Sequence, residues 1–265
     1  MNRLAPGHYR EVDDLLAFIS IYDDASRTQA FHRLLSANRH LIKNAVCVEA
    51  GCGLGLFAEY MARLGAKKVY AVEQNSLLVQ LARKRLAAYP NIDVVQAPIQ
   101  FFAPHEPIDV LVHEFFGQLL FDEDLFALEQ LSFKPTHVLP DSGELLCGVL
   151  DSSQYVDRTV DADVLEHLKG VLVSGLFPET GKELHFPVCR WQYGQPSGSR
   201  SQVDISTYAG DLVAFGVRIL HQGREICRAG TCENWSIVWT PRKGNRFELE
   251  FVAADAGCDV LFHWM

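Results

Sequence analysis

Two glutamates stand nine positions apart around an aromatic turn in the stretch HEFFGQLLFDED, at residues 113–124. Glu114 comes at the end of the apolar run IDVLV, and Glu123 follows the turn at Gly117. Two converging carboxylates repel each other, and their burial is costly unless a cation or protons lie between them. A guanidinium fits this requirement because its planar fork of donors pairs bidentately with carboxylates. In the alternative interpretation, Glu114 caps a loop and Glu123 starts a helix, where negative charge is favourable.

A glycine-rich turn forms the second chemical signal, VCVEAGCGLGLF at residues 46–57. Its spacing is G-x-G-x-G, and Glu49 stands two positions before the first glycine. Glycines at a strand-to-helix turn let a ligand approach the backbone, so we expect a ribose or a phosphate there. Glu73 ends the next apolar run, KVYAVE, where a carboxylate can accept hydrogen bonds from both ribose hydroxyls. A structural turn without a ligand is the alternative.

The elements that must position these residues divide the chain in two. Short apolar runs alternate with amphipathic segments in the first half, which predicts βαβ units and a parallel sheet. Glu114 and the glycine turn both follow predicted strands, so they face the same crevice at the carboxyl edge of a doubly wound sheet. Short β runs separated by Gly, Pro, Ser and Asn predict antiparallel strands in the second half. We therefore predict N-terminal helices at 1–40, a Rossmann-like domain at 41–147 and a mostly β domain at 148–265.

Three shorter segments carry local predictions. The sequence EDLFALEQLSF at 123–133 has apolar residues at helical spacing and predicts a helix. Residues 161–181 predict a helix followed by a loop. The turn residues of QPSGSRS at 195–201 predict an exposed hairpin loop.

Composition limits the classes of partner. The chain has 265 residues, 48% of them hydrophobic, which is enough for a sizeable core. A formal net charge of -9 argues against nucleic acid as the main partner, because phosphate binding needs a basic face, and it favours a cationic partner. Apolar runs fall short of the roughly 20 residues that span a bilayer, and the N-terminal residues lack a secretory apolar segment. We therefore expect no membrane partner and a cytoplasmic location.

The cysteines and histidines give no sign of a metal site. The seven cysteines are an odd number without a C-x-x-C pair, so neither a disulfide framework nor a zinc site is indicated. We expect them to be reduced core thiols. The ten histidines show no ligand spacing, and we predict no metal.

The two chemical signals together resemble one protein family. HEFFGQLLFDE is similar to the double-glutamate loop of the protein arginine N-methyltransferases, S-E-x-x-G-Y-x-x-x-x-E, and Glu114 and Glu123 match both acids. DDASRT, NRHLIKNAVCVEAGCGLG and LGAKKVYAVEQN resemble the family's segments before, within and after its glycine motif, so the resemblance covers roughly residues 18–147. The chain is identified as a short, divergent member of these class I S-adenosylmethionine-dependent methyltransferases. The implied fold is α/β, with a Rossmann-like doubly wound sheet followed by a reduced β-barrel-like domain.

The resemblance also implies S-adenosyl-L-methionine as the cofactor. Arg27 then binds its methionine carboxylate, and Glu73 holds its ribose. Ile99 and Gln100 flank its adenine, at positions where the family more often has Val-Glu. Without the resemblance, Arg27 would be interpreted as an ordinary surface arginine of a helix. The implied cofactor-binding residues are Arg27, Glu49, Gly51, Gly53, Gly55, Glu73, Gln74, Ile99, Gln100 and Glu114.

Several positions depart from the family pattern. His113 replaces the serine before the first glutamate, and Gln118 replaces the tyrosine after the glycine. In CENWSIVW, Asn234 stands where the family's Thr-His-Trp loop has its histidine, while Trp235 matches the tryptophan. The family's N-terminal Tyr-Phe-x-x-Tyr helix is not recognisable, and only Tyr9 falls near its expected place. We predict His113, Asn234 and Trp235 as substrate-binding residues, with His113 either relaying a proton to solvent or serving a structural role.

Three functions stay open at this point. The first is an arginine N-methyltransferase acting on a protein or peptide, with Glu114 and Glu123 as catalytic residues that grip the guanidinium. The second is an N-methyltransferase of a small guanidino or amino metabolite, favoured by Asn234 and the short β half. The third is a non-catalytic S-adenosylmethionine-binding scaffold, against which the pair of acids argues. The family's dimerisation arm is reduced within 161–179 or absent, and a homodimer is a further partnership that the resemblance implies.

Overall fold

The protein, described here by a computed structural model at residues 6–154, 161–175, 183–254 and 257–265, forms two compact units. Unit 1 comprises Met1–Glu114 and Gln130–Pro140, and unit 2 comprises Phe115–Glu129 and Asp141–Met265. The N-terminal helices therefore belong to unit 1. The change of pattern that the sequence suggested after residue 147 falls inside a strand of unit 2, Ser142–Leu150.

A five-stranded parallel sheet is the centre of unit 1. Its strands are β1 (Val46–Ala50), β2 (Lys68–Glu73), β3 (Ile92–Gln96), β4 (Val110–His113) and β5 (His137–Leu139). Their order is β3-β2-β1-β4-β5, and every neighbouring pair is parallel. β1 and β4 are buried along their whole length, which explains their continuous apolar sequences.

The helices of unit 1 are α1 (Pro6–Asp23), α2 (Ala25–Ala37), α3 (Arg39–Ile42), α4 (Leu56–Arg63), α5 (Ser76–Leu86) and a 3-10 helix, Ile99–Phe101. Side chains cap the N-termini of α2 and α5. Asp24 Oδ1 accepts the N–H of Arg27 at 2.9 Å, and Asn75 Oδ1 accepts the N–H of Leu77 at 2.9 Å. Both side chains satisfy backbone donors that have no partner inside the helix. α4 packs against β1 and β2, directly after the glycine turn.

Antiparallel sheets make up unit 2. Its strands are β6 (Ser142–Leu150), β7 (Val173–Ser174), β8 (Phe186–Gln192), β9 (Arg200–Asp204), β10 (Leu212–His221), β11 (Arg224–Arg228), β12 (Val238–Pro241), β13 (Arg246–Ala253) and β14 (Cys258–Trp264). One sheet has the order β7-β12-β10-β6-β8 with β11 paired to β10, and the other has the order β14-β13-β9. The aromatic rings of Phe215 and Phe247 lie 5.5 Å apart in the core of this unit.

The local predictions have mixed outcomes. The helix expected at 123–133 is a 3-10 helix, Asp124–Glu129. Within 161–181, α6 spans only Ala162–His167 before β7, and residues 176–181 lie outside the described residues. The hairpin expected at QPSGSRS is wrong, because this segment joins β8, which pairs with β6, to β9, which pairs with β13 in the other sheet. None of the described helices has the length and apolar composition needed to cross a membrane.

Candidate functional site

The register of the parallel sheet brings the predicted residues of unit 1 to one edge. Ala50, the last residue of β1, pairs with His113, the last residue of β4. Gly51 and Glu114 therefore leave neighbouring strands at the same edge. Glu73, at the end of β2, belongs to that edge too, because β2 lies on the other side of β1. The carboxyl edge of such a sheet is where ligands bind in open α/β folds.

Glu49 holds the glycine turn to the helix that follows it. Its carboxylate accepts the N–H groups of Phe57 at 3.2 Å and Ala58 at 2.6 Å, in the first turn of α4. Burial raises the pKa of Glu49 to about 8, and the two N–H groups act in the opposite direction. The side chain is thus a cap for α4 that fixes the turn, and its predicted contact with a cofactor stays a prediction.

Glu73 binds the glycine turn from the second strand. Its Oε2 accepts the N–H of Gly53 at 2.9 Å, and its Oε1 accepts the N–H of Asn75 at 2.8 Å. A carboxylate oxygen has two lone pairs, so each oxygen keeps capacity for a further donor such as a ribose hydroxyl. Gln74, beside it, is exposed. The open lone pairs of Glu73 are acceptors of the kind that ribose hydroxyls require, and its contact with a ribose stays a prediction.

Helix α1 covers one face of the glycine turn. Gly53 has φ of 52°, and a Cβ added there would lie 2.6 Å from Tyr22 Oη and 2.7 Å from Phe18 Cε1. Tyr22 Oη accepts the N–H of Leu54 at 2.8 Å and donates to the carbonyl oxygen of Cys52 at 3.4 Å. Only glycine fits at this position, because a side chain would both clash and adopt a strained backbone.

The contact between α1 and the turn was missed by the sequence reasoning. Tyr9, the residue nearest the family's aromatic helix motif, is 58% exposed. Phe18 and Tyr22 were the available signal, since residues four apart lie on one face of a helix. Helix α1 therefore covers the glycine turn through Phe18 and Tyr22, which do not belong to the family's aromatic motif.

Arg27 and Glu114 form a buried ion pair. The guanidinium of Arg27 pairs through Nη2 with Glu114 Oε2, and the two side chains are 6% and 14% exposed. Arg27 stands in the first turn of α2, which the Asp24 cap fixes. Glu114 Oε1 is buried and has no hydrogen-bond partner among the described residues. A carboxylate held at one oxygen and open at the other can accept a donor from a ligand.

His113 is neutral and enclosed. The residue is 1% exposed, and its Nε2 lies 3.0 Å from the carbonyl oxygen of Pro140, so Nε2 carries the proton and donates it. Burial lowers the pKa of His113 to about 3. These properties favour the structural role of His113 over a proton relay.

The two residues expected beside an adenine lie in the 3-10 helix after β3. Ile99 is buried, whereas Gln100 is half-buried. The neighbouring Phe101 is 75% exposed. The apolar surface and the amide are of the types that contact a purine ring, and their role stays a prediction.

In unit 2, the second half of the double-glutamate loop is shaped by Asp122. Its Oδ1 accepts the N–H of Leu119 at 2.8 Å, and a Cβ at Gly117 would collide with the same carboxylate. Burial raises the pKa of Asp122. Glu123 follows directly and is exposed. The turn from Gly117 to Asp122 therefore fixes the backbone position of Glu123, the second acid of the loop.

Two hydrogen bonds join this loop to the segment that carries Asn234 and Trp235. Trp235, 2% exposed, donates from Nε1 to the carbonyl oxygen of Phe116 at 2.8 Å. Gln118 donates from Nε2 to the carbonyl oxygen of Asn234 at 3.5 Å and accepts the hydroxyl of Ser174 at 2.7 Å. Two of the positions that depart from the family pattern, Gln118 and Asn234, thus contact each other.

Comparison with a family model and with solved structures shows the fold. A family model described as a methyltransferase domain matches residues 47–130. The Trypanosoma brucei PRMT1 enzyme-prozyme heterotetrameric complex with AdoHcy aligns with a TM-score of 0.71 at 15% identity, covering 93% of this chain and 92% of that chain. A PRMT6-SAH crystal structure gives a TM-score of 0.71 at 13% identity, covering 94% of this chain and 99% of that chain. The fold is that of a class I methyltransferase followed by an antiparallel β domain, as predicted.

Sequence comparison then identifies the relatives. The chain is 30% identical over 166 residues to the "Probable protein arginine N-methyltransferase 6.1" of Oryza sativa subsp. indica, covering 58% of this chain and 42% of the relative. It is 27% identical over 145 residues to the "Protein arginine N-methyltransferase 2" of Dictyostelium discoideum, covering 52% of this chain and 28% of the relative. The chain thus spans less than half the length of these relatives. The predicted resemblance is confirmed, and over these segments the chain is similar to proteins named as protein arginine N-methyltransferases.

Proposed function

We propose that the chain is an S-adenosylmethionine-dependent N-methyltransferase that methylates the guanidinium of arginine in a protein or peptide. The observation that carries this proposal is the buried Glu114 carboxylate, which Arg27 holds at Oε2 while Oε1 lacks a partner among the described residues. An acceptor of this kind, at the ligand-binding edge of a methyltransferase sheet, suits a cationic donor of hydrogen bonds.

The cofactor side of the proposal uses residues of unit 1. S-adenosyl-L-methionine supplies an electrophilic methyl group when it is bound. Glu73 accepts the ribose hydroxyls with the lone pairs that the two backbone N–H groups leave open. Arg27 attracts the methionine carboxylate, while Ile99 and Gln100 contact the adenine. The remaining cofactor-binding residues of the proposal are Glu49, Gly51, Gly53, Gly55, Gln74 and Glu114.

Glu114 and Glu123 provide the catalytic side of the proposal. Arginine is protonated in water and its nitrogen lone pairs are delocalised, so the nucleophile is weak. We assign to both carboxylates the same guanidinium, which they orient through paired hydrogen bonds and whose positive charge they hold away from the attacking nitrogen. The surplus proton leaves to solvent after transfer, because His113 is neutral and already donates to a backbone carbonyl.

A small guanidino or amino metabolite is the second candidate acceptor. Asn234 stands where the resemblance puts a histidine, and its carbonyl oxygen accepts a hydrogen bond from Gln118. An asparagine at this position lacks the imidazole that the resemblance places beside the substrate, and this departure supports an acceptor other than a protein arginine. The proposal also includes a cytoplasmic location and a homodimer, supported by composition and by the resemblance respectively. Light scattering of the purified chain tests the dimer.

Transfer of a labelled methyl group tests the function directly. Purified protein is incubated with labelled S-adenosylmethionine and an arginine-rich peptide, free arginine or no acceptor. We expect labelled peptide, and Glu114→Gln or Glu123→Gln to lower the rate by about 10²- to 10³-fold, the size of a lost electrostatic contact to the reacting group. Glu129→Gln, an exposed acid at the end of the 3-10 helix, is the matched control and keeps the rate.

The outcomes separate the candidates. Labelled free arginine without labelled peptide favours the metabolite, and binding of cofactor without transfer to any acceptor favours a scaffold. Transfer to peptide that survives in Glu123→Gln refutes the role of that residue. Calorimetry with the cofactor provides an independent measurement, in which Glu73→Ala weakens binding while Glu123→Gln leaves it unchanged. Equal affinities in wild type and Glu73→Ala refute the ribose contact.

A further inference from the structure

Two buried thiols of unit 2 lie side by side. Cys227 Sγ is 2.8 Å from Cys232 Sγ, and the residues are 5% and 3% exposed. A disulfide bond is about 2.05 Å long, so closing it requires the sulfur atoms to approach by only about 0.8 Å. We propose that Cys227 and Cys232 form an oxidisable dithiol site that takes a hydroperoxide as its oxidant and closes to an intramolecular disulfide.

The reaction balances with one equivalent of hydrogen peroxide. One sulfur, as its thiolate, attacks the O–O bond to give a sulfenic acid, and the departing hydroxide takes up a proton to form water. The second thiol attacks the sulfenic sulfur, the S–S bond forms, and a second water leaves. The two thiols are oxidised by two electrons in total, and the peroxide is reduced to two waters. The burial of both sulfurs favours this small oxidant over a bulky disulfide such as oxidised glutathione.

The dithiol stands at the base of the loop 228–235. Cys227 lies in β11, and the N–H of Cys232 returns to the carbonyl oxygen of Arg228 at 3.3 Å. The N–H of Trp235 in turn donates to the carbonyl oxygen of Cys232 at 3.2 Å. A bond between the sulfurs therefore constrains the backbone on which Trp235 stands.

Trp235 connects the loop 228–235, which the disulfide would constrain, to the double-glutamate loop. Its indole donates to the carbonyl oxygen of Phe116, so the loop 228–235 and the segment after Glu114 are joined by a buried hydrogen bond. The oxidation state of the dithiol thereby sets how firmly the loop 228–235 is held. Any effect of this bracing on methyl transfer rests on the proposed function, whereas disulfide formation itself does not.

The other cysteines provide contrasts for a test. Cys258 is half-buried, whereas the other six are buried. Thiols in a reducing cytoplasm seldom stay joined, so a disulfide at this site would be transient and responsive to oxidant.

Arg228 makes the disulfide easy to detect. Trypsin cleaves after it and separates the two cysteines into the peptides 225–228 and 229–242. The protein is treated with hydrogen peroxide, its remaining thiols are alkylated, and it is digested without reductant. We expect the two peptides to appear joined by mass spectrometry, two hydrogens lighter than their sum, and to separate after reduction.

The matched variants are Cys232→Ser and Cys258→Ser. Loss of the joined peptides in Cys232→Ser and their survival in Cys258→Ser support the site. Joined peptides that involve other cysteines instead, or alkylated Cys227 and Cys232 after peroxide treatment, overturn it. If Cys232→Ser does not fold, wild-type protein alone still tests the disulfide. Separation of the joined peptides on reduction then provides the control.

Amide hydrogen exchange and transfer kinetics test the bracing. Amide exchange in the peptide 229–242 should be slower in the oxidised protein than in the reduced protein. Equal exchange rates in the two forms would overturn the proposal that the disulfide braces the loop. Oxidation should also lower the KM for an arginine peptide by about fivefold, the lower end of typical coupling between sites. Cofactor affinity should not change, since the predicted cofactor residues belong to unit 1. Absence of transfer in both states refutes the proposed function, while the joined peptides would still support the dithiol.

Discussion

The glycine turn of unit 1 and the loop 228–235 of unit 2 are held in opposite ways. The turn is held by the carboxyl groups of Glu49 and Glu73, which accept its backbone N–H groups and those of its flanking residues. The loop is held by neutral donors, since Trp235 and Gln118 donate side-chain N–H groups to backbone carbonyls. Charge and pH should therefore control the first region, whereas hydrogen-bond geometry and oxidation should control the second.

Loss of charge in unit 1 gives the largest expected effect on stability. Arg27→Met leaves Glu114 buried without its cation, which should lower the free energy of unfolding by about 3–5 kcal/mol. In unit 2, Arg218→Met is the control, because Glu144 keeps Arg190 at 2.9 Å and the loss should be about 1 kcal/mol. Urea denaturation measures both. Losses of equal size would show that Glu114 does not depend on Arg27 as its counterion.

A methyl group at the glycine turn should have the next largest effect. Gly53→Ala combines a left-handed backbone with contacts to Phe18 and Tyr22, so we expect a loss of about 2–4 kcal/mol from strain and overpacking. Gly194→Ala in unit 2 has the same backbone strain, with φ of 78°, but its Cβ would meet nothing within 4 Å. It should lose about 1–2 kcal/mol. Thermal denaturation separates the two contributions, and calorimetry should show weaker cofactor binding in Gly53→Ala alone.

Removal of an indole donor tests the second region. Trp235→Phe leaves the carbonyl oxygen of Phe116 without that donor, which should cost about 1–3 kcal/mol of stability. Trp239→Phe removes a similar bond, from Nε1 to the carbonyl oxygen of Gly175 at 2.9 Å, and is the matched control. Only Trp235→Phe should raise the KM for an arginine peptide. A rise in both variants would show a general loss of packing instead.

The effects that are smallest over any single pH unit are two pH dependences of opposite sign in unit 1. The folded-state pKa of Glu49, about 8, lies above its ordinary 4.5, so its contribution to stability is full below pH 4.5 and is lost as pH rises to about 8. The folded-state pKa of His113, about 3, lies below its ordinary 6.5, so its contribution is full above pH 6.5 and is lost as pH falls to about 3. Each slope is at most about 1.4 kcal/mol per pH unit.

Urea denaturation over this pH range checks both signs. Glu49→Gln should abolish the loss of stability toward alkaline pH, and His113→Gln should abolish the loss toward acid pH. A variant whose profile is parallel to that of wild type would show that the substituted residue does not titrate in that range. Peroxide, in contrast, should act on the loop 228–235 without changing either profile.

Unit 1 could be predicted from the sequence because its signals are local. The alternation of apolar and amphipathic segments gave the parallel sheet, and the positions of Glu73 and Glu114 at strand ends placed them at one edge. The cover of Gly53 by α1 could not be predicted, since helical spacing shows that Phe18 and Tyr22 share a face but does not show what that face contacts.

Unit 2 was less predictable because its contacts join distant parts of the chain. Gln118 and Asn234 are 116 residues apart, and their contact depends on the pairing of strands between them. Strand β11 was missed, and with it the approach of Cys227 to Cys232, since their spacing matches no C-x-x-C motif. The helix expected after Glu123 became a 3-10 helix, as six residues are too few for packing to stabilise an α-helix strongly.

The contact between Gln118 and Asn234 has a consequence for protein engineering. Restoring a tyrosine at 118 removes the amide that reaches the Asn234 carbonyl and accepts the Ser174 hydroxyl. A histidine grafted alone at 234 keeps the main-chain carbonyl that Gln118 contacts, so this hydrogen bond alone does not oppose the graft. Segments 116–120, 173–174 and 228–235 therefore behave as a single cassette, and chimeras that exchange acceptor preference should transplant all three together.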